Sequence, residues 1–207
     1  MSNEDADESQ QALVERALRG ESKAFERLVL PHVAAIRRVA FAFCRKREDA
    51  DDLAQEALLK AYRSLKTFRG GSLTSWLYSV TRSVCHDWYR SRKSRGQLAE
   101  VELSEELDLA EPHGPQSLLH ARYESERLWG AIRQLEPKFR VPLVLFEIEG
   151  LSYEEVARIE GTPVGTIRSR LSRARKRLLA LLSPASIHPT SGTSGVNLPS
   201  NSARPGK

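Results

Sequence analysis

The side chains in this chain with the most chemistry to offer are cations at close spacing. Between 162 and 180 stand Arg168, Arg170, Arg173, Arg175, Lys176 and Arg177, and no acid interrupts them. A helix this basic repels itself unless something anionic lies near, so the chemistry it points to is binding of a polyanion. Covalent chemistry has no comparable support. The chain contains no G-x-S-x-G, no Walker loop and no paired-carboxylate arrangement, so it is not expected to be an enzyme. Cys44 and Cys85 lie in no C-x-x-C and no Cys/His cluster of ligand spacing, and read as buried thiols. His86 follows Cys85 directly, but neighbouring helix positions point about 100° apart and do not converge on one ion. No metal site and no cofactor is expected.

The arginine strip needs elements to present it, and LSYEEVARIEGTPVGTIRSRLSRARKRLLALL at 151–182 supplies them. Ser152 followed by Glu155 has capping-box spacing, so a helix should begin at Tyr153, with Val156, Ala157 and Ile159 on its apolar side. Gly161 sits where a chain leaving a helix favours a residue tolerant of positive φ. Thr162 is then placed to cap a second helix with Pro163 at its first position, where a missing N–H costs nothing. Ala157, Gly161 and Ile167 give the crossing, bend and core contact of a helix-turn-helix. In that motif the start of the second helix enters the major groove, which brings Arg168, Ser169, Ser172 and Arg173 toward base edges.

Length and composition bound the rest. The 207 residues are 40% hydrophobic, enough to bury one core or two small ones. The net charge of +5 is modest, but acids cluster near the start and middle while bases follow each helical block, and that segregation favours an anionic partner. No apolar run approaches the roughly 18 residues of a membrane span and no signal segment opens the chain, so membrane insertion is not expected and the cytoplasm is.

Taken in order, residues 1–10 are acidic and polar and are expected to be disordered. A short helix is predicted over 11–19, ending at Gly20, and another from Ser22 that Pro31 interrupts. The block 48–66 has an apolar stripe of Leu53, Ala54, Ala57, Leu58, Ala61 and Leu65. On another side Asp52, Gln55, Glu56 and Leu59 recur at helical intervals. Asp51 and Asp52 would also complement the helix dipole, which leaves Leu59 in line with them unexplained; a docking surface for another protein accounts for it.

Phe68, Arg69, Gly70 and Gly71 form a loop, and Ser72 or Thr74 can cap a long helix running to about Arg92. Its predicted buried stripe is Leu73, Trp76, Leu77, Val80, Val84 and Trp88. Another side shows Tyr78, Arg82, His86, Tyr89, Arg90 and Lys93, and aromatics interleaved with bases either stack on unpaired nucleobases or pad the core. Residues 96–117 read as a flexible acidic linker. Helices follow over 118–135 and from Pro137 to Gly150, the second distorted by Pro142. The tail 183–207 is rich in Ser, Pro and Gly and is expected to be disordered.

Across about 11–182, linker apart, the chain resembles the bacterial RNA polymerase sigma factors, specifically the small two-domain extracytoplasmic-function (ECF) group. ADDLAQEA at 50–57 is similar to the family's polymerase-docking helix, Trp76, Leu77, Asp87 and Arg90 fall where its promoter-melting helix has W-L, D and R, and GTIRSRLSRAR at 165–175 resembles its recognition helix. The resemblance implies an all-α fold of two small helical domains. Residues 11–95 would bind core polymerase and read and melt the minus-ten element; residues 118–182 would read the minus-thirty-five element.

It further implies that Asp51, Asp52, Gln55, Glu56 and Leu59 meet the polymerase, chiefly its β′ coiled coil with β nearby. Phe68, Arg69, Thr74, Tyr78, Arg82, His86, Tyr89, Arg90 and Lys93 would serve minus-ten DNA. Thr166, Arg168, Ser169, Arg170, Ser172, Arg173, Arg175, Lys176 and Arg177 would serve minus-thirty-five DNA, with Arg170, Arg175, Lys176 and Arg177 near phosphates. An anti-sigma protein is a usual partner in the group. Ser83 stands where the family usually has asparagine, and Thr81 where it commonly has alanine, which bears on upstream promoter preference. The alternative is a helix-turn-helix regulator that binds an operator without joining polymerase.

Overall fold

The computed structural model describes residues 9–44, 46–96 and 115–183. Among them it forms nine α-helices and no strand: α1 (Gln10–Leu18), α2 (Ser22–Val29), α3 (Val33–Cys44), α4 (Arg47–Ser64), α5 (Leu73–Ser94), α6 (Pro115–Gln134), α7 (Pro137–Leu143), α8 (Tyr153–Glu160) and α9 (Val164–Leu182). The expectations at 1–8, 97–114 and 184–207 lie outside the described residues. Helix α6 starts three residues before the expected 118.

Local chemistry sets the boundaries. Ser9 Oγ accepts from the Ala12 N–H, and Gly20 closes the first helix at φ +95°. Pro31 cannot donate to the helix ladder, and the chain passes through a 3₁₀ turn at Leu30–His32 between α2 and α3. Ser72 Oγ accepts from the Ser75 N–H, so Ser72 rather than Thr74 caps α5. Pro142 has the expected effect in a specific form: α7 stops at Leu143 and the backbone widens into a π-helical turn over Val144–Ile148. No helix among the described residues is long and apolar enough to cross a membrane.

Helix α3 is the axis of the molecule. It packs against α4 and α5 on one side and against α7 on the other, and Ile36, Val39, Ala40, Phe41 and Ala42 are almost wholly buried. The fold is all-α in two helical halves, as expected, and the halves pack together through one continuous core in which the Phe41 and Trp129 rings meet edge to face at 5.7 Å. Helix α8 covers α5 as well. That second cover turns the buried stripe of α5 from the expected one: Tyr78, Thr81 and Cys85 are buried, whereas Trp76, Val80 and Trp88 are only partly so.

Both thiols are buried, and burial raises their pKa values, Cys44 to about 12, which leaves them poor nucleophiles.

Arg140 of α7 is 1% exposed and binds carbonyls at two helix ends. It donates to Ala42 O and, at 3.1 Å, to Phe43 O at the end of α3, and to Arg133 O at 3.0 Å and Leu135 O at 2.8 Å at the end of α6. Helix C-termini carry orphan carbonyls and negative partial charge, so one guanidinium satisfies both ends at once. Each buried acceptor left unpaired costs about 1–3 kcal/mol. The urea midpoint of Arg140→Met is therefore expected to fall steeply, and that of Arg140→Lys, which keeps a cation with three donors, to fall less. Midpoints indistinguishable from the parent's would contradict this role.

Candidate nucleic-acid interface

The turn between α8 and α9 is built as the sequence suggests. Glu155 N–H donates to Ser152 Oγ at 3.2 Å and Ser152 N–H to Glu155 Oε2 at 2.9 Å, a complete capping box. Gly161 adopts φ +60°, ψ +35°, and the Thr162 N–H returns to Ala157 O at 3.1 Å, satisfying the end of α8. Val156, Ile167, Leu171 and Ala174 are fully buried and lock the two helices together.

Thr162 departs from its expected role. Pro163 occupies the cap position of α9 and its carbonyl accepts from the Thr166 and Ile167 N–H groups, which puts Thr162 one residue too early; the buried Oγ1 of Thr162 finds no partner among the described residues.

On α9 the residues sort by angle, at about 100° per position. Opposite the buried Ile167, Leu171 and Ala174 lies an exposed face carrying Ser169, Ser172, Arg173 and Lys176. The other arginines flank it and are tied to the body. Arg175 pairs with Glu147 at 2.6 Å and lies over the Phe146 ring; Arg177 pairs with Glu136 at 2.9 Å and lies over Phe139. Arg168 lies over Tyr153, and Arg170 reaches Glu160 at 3.6 Å. Arg173 and Lys176 pair with no acid among the described residues. Thr166, half-buried, accepts from the Ser169 hydroxyl through its carbonyl.

On α4 the structure brings Asp52, Gln55, Glu56 and Leu59 to one exposed face, with Leu59 56% exposed. Asp51 is turned aside and pairs with Arg37 of α3 at 2.7 Å. A 56% exposed leucine gains nothing from folding here and gains transfer free energy from a partner that covers it.

The loop and α5 divide the remaining residues. Phe68 packs on Trp76 at 5.6 Å, Arg69 is exposed and Thr74 half-buried. Arg90 and Lys93 are exposed, and the Ser83 hydroxyl accepts from Lys60 Nζ at 2.9 Å. Arg82, His86, Tyr89 and Lys93 line one wall of a cleft of about 450 Å³ between the halves, with Lys138 and Arg170 on the other. Tyr78 is not an exposed ring: it is 2% exposed, and its hydroxyl donates to Glu149 Oε2 at 2.8 Å. Arg82 donates to Glu160 Oε1 at 3.3 Å and to its carbonyl at 2.9 Å.

Sequence reasoning did not single out Glu149 or Glu160, and it gave Glu155 only its capping role. Glu160 was the most legible, as an acid at the end of an apolar helix face beside an arginine strip. Burial raises its carboxyl pKa, opposed by Arg82 and Arg170. Glu155 moves the other way, lowered by the Ser152 backbone and side chain and by Ser75.

Three comparisons bear on this arrangement. Family models described as Sigma-70 region 2 and Sigma-70, region 4 match residues 28–95 and 125–178. The RNA polymerase sigma-H factor of Pseudomonas aeruginosa is 35% identical over 184 residues, covering 86% of this chain and 95% of that protein. The ECF RNA polymerase sigma factor SigE of Mycolicibacterium smegmatis is 34% identical over 157 residues, 75% of this chain and 60% of that longer protein. Among solved structures, the sigma factor RpoE from Bartonella quintana, in complex with the anti-sigma factor NepR, superposes with a TM-score of 0.63 at 31% identity, covering 77% of this chain and 97% of that one.

The lowered Glu155 pKa gives a signed expectation for the turn. Its contribution is complete above the ordinary value of about 4.5 and is lost as pH falls through the lower folded value. The stability gap between the parent and Glu155→Gln, read by thermal unfolding near neutral pH, is expected to close below about 4.5. A gap that stays constant across that range would contradict the capping role of the carboxylate.

Proposed function

This chain belongs to the extracytoplasmic-function group of bacterial RNA polymerase sigma factors, and on that footing we propose how its surfaces divide the work of starting transcription. It acts by binding: joined to core RNA polymerase, it directs the enzyme to promoters and supports their recognition and melting.

The α4 face of Asp52, Gln55, Glu56 and Leu59 is our candidate dock for the polymerase β′ coiled coil, with Asp51 braced by Arg37 at its margin. The loop at Phe68 to Thr74 and the basic, aromatic side of α5 hold the unpaired minus-ten strand. Each base stacked on a ring offsets roughly 1–3 kcal/mol of duplex opening. Helix α9 lies in the major groove of the minus-thirty-five element. Its tied flanks favour a division in which Arg168, Ser169, Ser172 and Arg173 approach base edges and Lys176 meets phosphate, Arg170, Arg175 and Arg177 reaching phosphates by exchanging their carboxylate partners. An anti-sigma protein is our candidate partner, from the likeness to a sigma factor solved in such a complex. The cytoplasm, where polymerase and promoter meet, is the place of action.

The observation that carries this reading is the combination, in one chain, of an exposed acid-and-leucine face on α4 with two exposed cations on α9, Arg173 and Lys176, that pair with no acid among the described residues. An operator-binding regulator needs the second but not the first. Run-off transcription with core polymerase and genomic fragments is expected to begin at discrete starts, and Asp52→Lys to abolish both this and core binding while circular dichroism is unchanged. Discrete starts that persist with Asp52→Lys would contradict the docking face. Within α9, Arg173→Ala is expected to lower transcription unequally across upstream-element variants. Lys176→Ala should lower it evenly and reduce the salt slope by about one. Identical behaviour of the two variants would contradict the division.

A further inference from the structure

The cleft of about 450 Å³ beside α5 holds more positive charge than its own carboxylates use. Arg82, His86 and Lys93 line it from α5, Lys138 and Arg170 face them, and the acids in its walls are Glu136 and Glu160. Glu160 is shared by Arg82 at 3.3 Å and Arg170 at 3.6 Å. Glu136 is divided in the same way between Lys138 at 2.6 Å and Arg177 at 2.9 Å, and Arg177 lies outside the lining. Four permanent cations and a histidine thus stand against two carboxylates, and Lys93 pairs with no acid among the described residues.

Thr162 lies in the same wall, and its Oγ1 is buried without a partner among the described residues. A hydroxyl shut away from water costs stability until it meets an acceptor. An anionic oxygen seated between Thr162 and the cations would be that acceptor. Tyr89 and Pro137 add a ring and an apolar edge to the lining.

We propose that the cleft is a binding site for a nucleoside diphosphate, its phosphates between Arg82, Lys93, Lys138 and Arg170, one oxygen on the Thr162 hydroxyl, and its base against Tyr89. Neither the cleft nor its charge depends on the sigma-factor reading.

Arginine and lysine form charge-assisted hydrogen bonds with phosphate oxygens, and their donors outnumber what the two acids take up. Arg82 spends Nε on Glu160 Oε1 and Nη2 on the Glu160 carbonyl at 2.9 Å, which leaves Nη1 over. Cations on both walls suit a chain of phosphates that spans the gap better than a single one. The volume falls within the range of small-molecule sites, roughly 300–1,000 Å³.

The test is calorimetric titration of the full chain with ADP, pyrophosphate and adenosine in about 0.15 M salt, where exposed charges are largely screened. ADP is expected to give a saturable one-to-one isotherm, pyrophosphate a weaker one and adenosine none. Lys138→Glu places an acid in the wall and is expected to weaken ADP at least tenfold, whereas Lys66→Glu, an equal reversal at an exposed site outside the cleft, leaves it unchanged. Thr162→Val removes the hydroxyl at nearly constant volume. It is expected to weaken ADP about tenfold, the worth of a hydrogen bond to a charged group, and yet to raise the thermal midpoint of the free protein. A threonine with a structural role alone would move the midpoint and leave the affinity where it was.

Absence of a saturable ADP isotherm would overturn the site, as would equal losses in Lys138→Glu and Lys66→Glu, which would put the anion on the general basic surface. An unchanged ADP affinity in Thr162→Val rejects it too, and pyrophosphate binding as tightly as ADP rejects a nucleotide. Should one of the two cleft variants fail to fold by circular dichroism, the other decides. Run-off transcription is independent of these results: a chain that binds no ADP and still initiates at discrete starts removes the site and leaves the sigma-factor role intact.

Discussion

Two carboxylates withdrawn from water at the meeting of the halves, Glu149 and Glu160, set much of what this molecule shows and hides. An acid so placed must find cations or donors, because the cost of burying it alone exceeds anything nearby packing returns. Glu149 finds Arg38 and Tyr78; Glu160 finds Arg82 and Arg170. The elements that carry those partners, α3, α5 and α9, are thereby held in register with α8 and the π turn. Arg140 completes the arrangement from the far side of α3 by closing the carbonyl ends of two helices. Which side chains face solvent on α5 follows from these contacts rather than from the amphipathicity of that helix alone.

The same logic of satisfying charge acts on α9. Its arginines would repel one another on a bare helix, and the fold disperses them: Glu147, Glu136 and Glu160 take three, and aromatic rings lie beneath Arg168, Arg175 and Arg177. These ties fix the rotation of the helix and leave Arg173 and Lys176 on the open face. A recognition helix thus reaches DNA already oriented, so less conformational freedom is lost on binding.

The helix-turn-helix was legible in the sequence, the cap of its second helix apart, because its determinants are local: a capping box, a left-handed glycine at Gly161, and Ala157 and Ile167 at the spacing of a helix crossing and a core contact. The exposed α4 face was legible for the same reason, since one periodicity defines both its buried and its open sides. Thr162 was misassigned because a proline next to a turn fits either the cap or the first helical position, and only the hydrogen bonds to the Pro163 carbonyl distinguish them. The packing of α5 against α8 was not legible at all. It joins residues some 80 positions apart, as Ser75 and Glu155 are, and nothing in the pattern around Tyr78 distinguishes a ring that waits for a base from one covered by another helix.

The central claim is that one half of the chain grips the transcription enzyme while the other grips double-stranded DNA. It is tested most directly by placing a photocrosslinking amino acid at Leu59 of α4 or at Lys176 of α9. Each protein is then irradiated in a complex with core bacterial polymerase and a duplex promoter fragment. The account predicts an adduct from position 59 to the β′ subunit and an adduct from position 176 to the upstream duplex. Adducts to DNA from both positions, with none to polymerase, would contradict it.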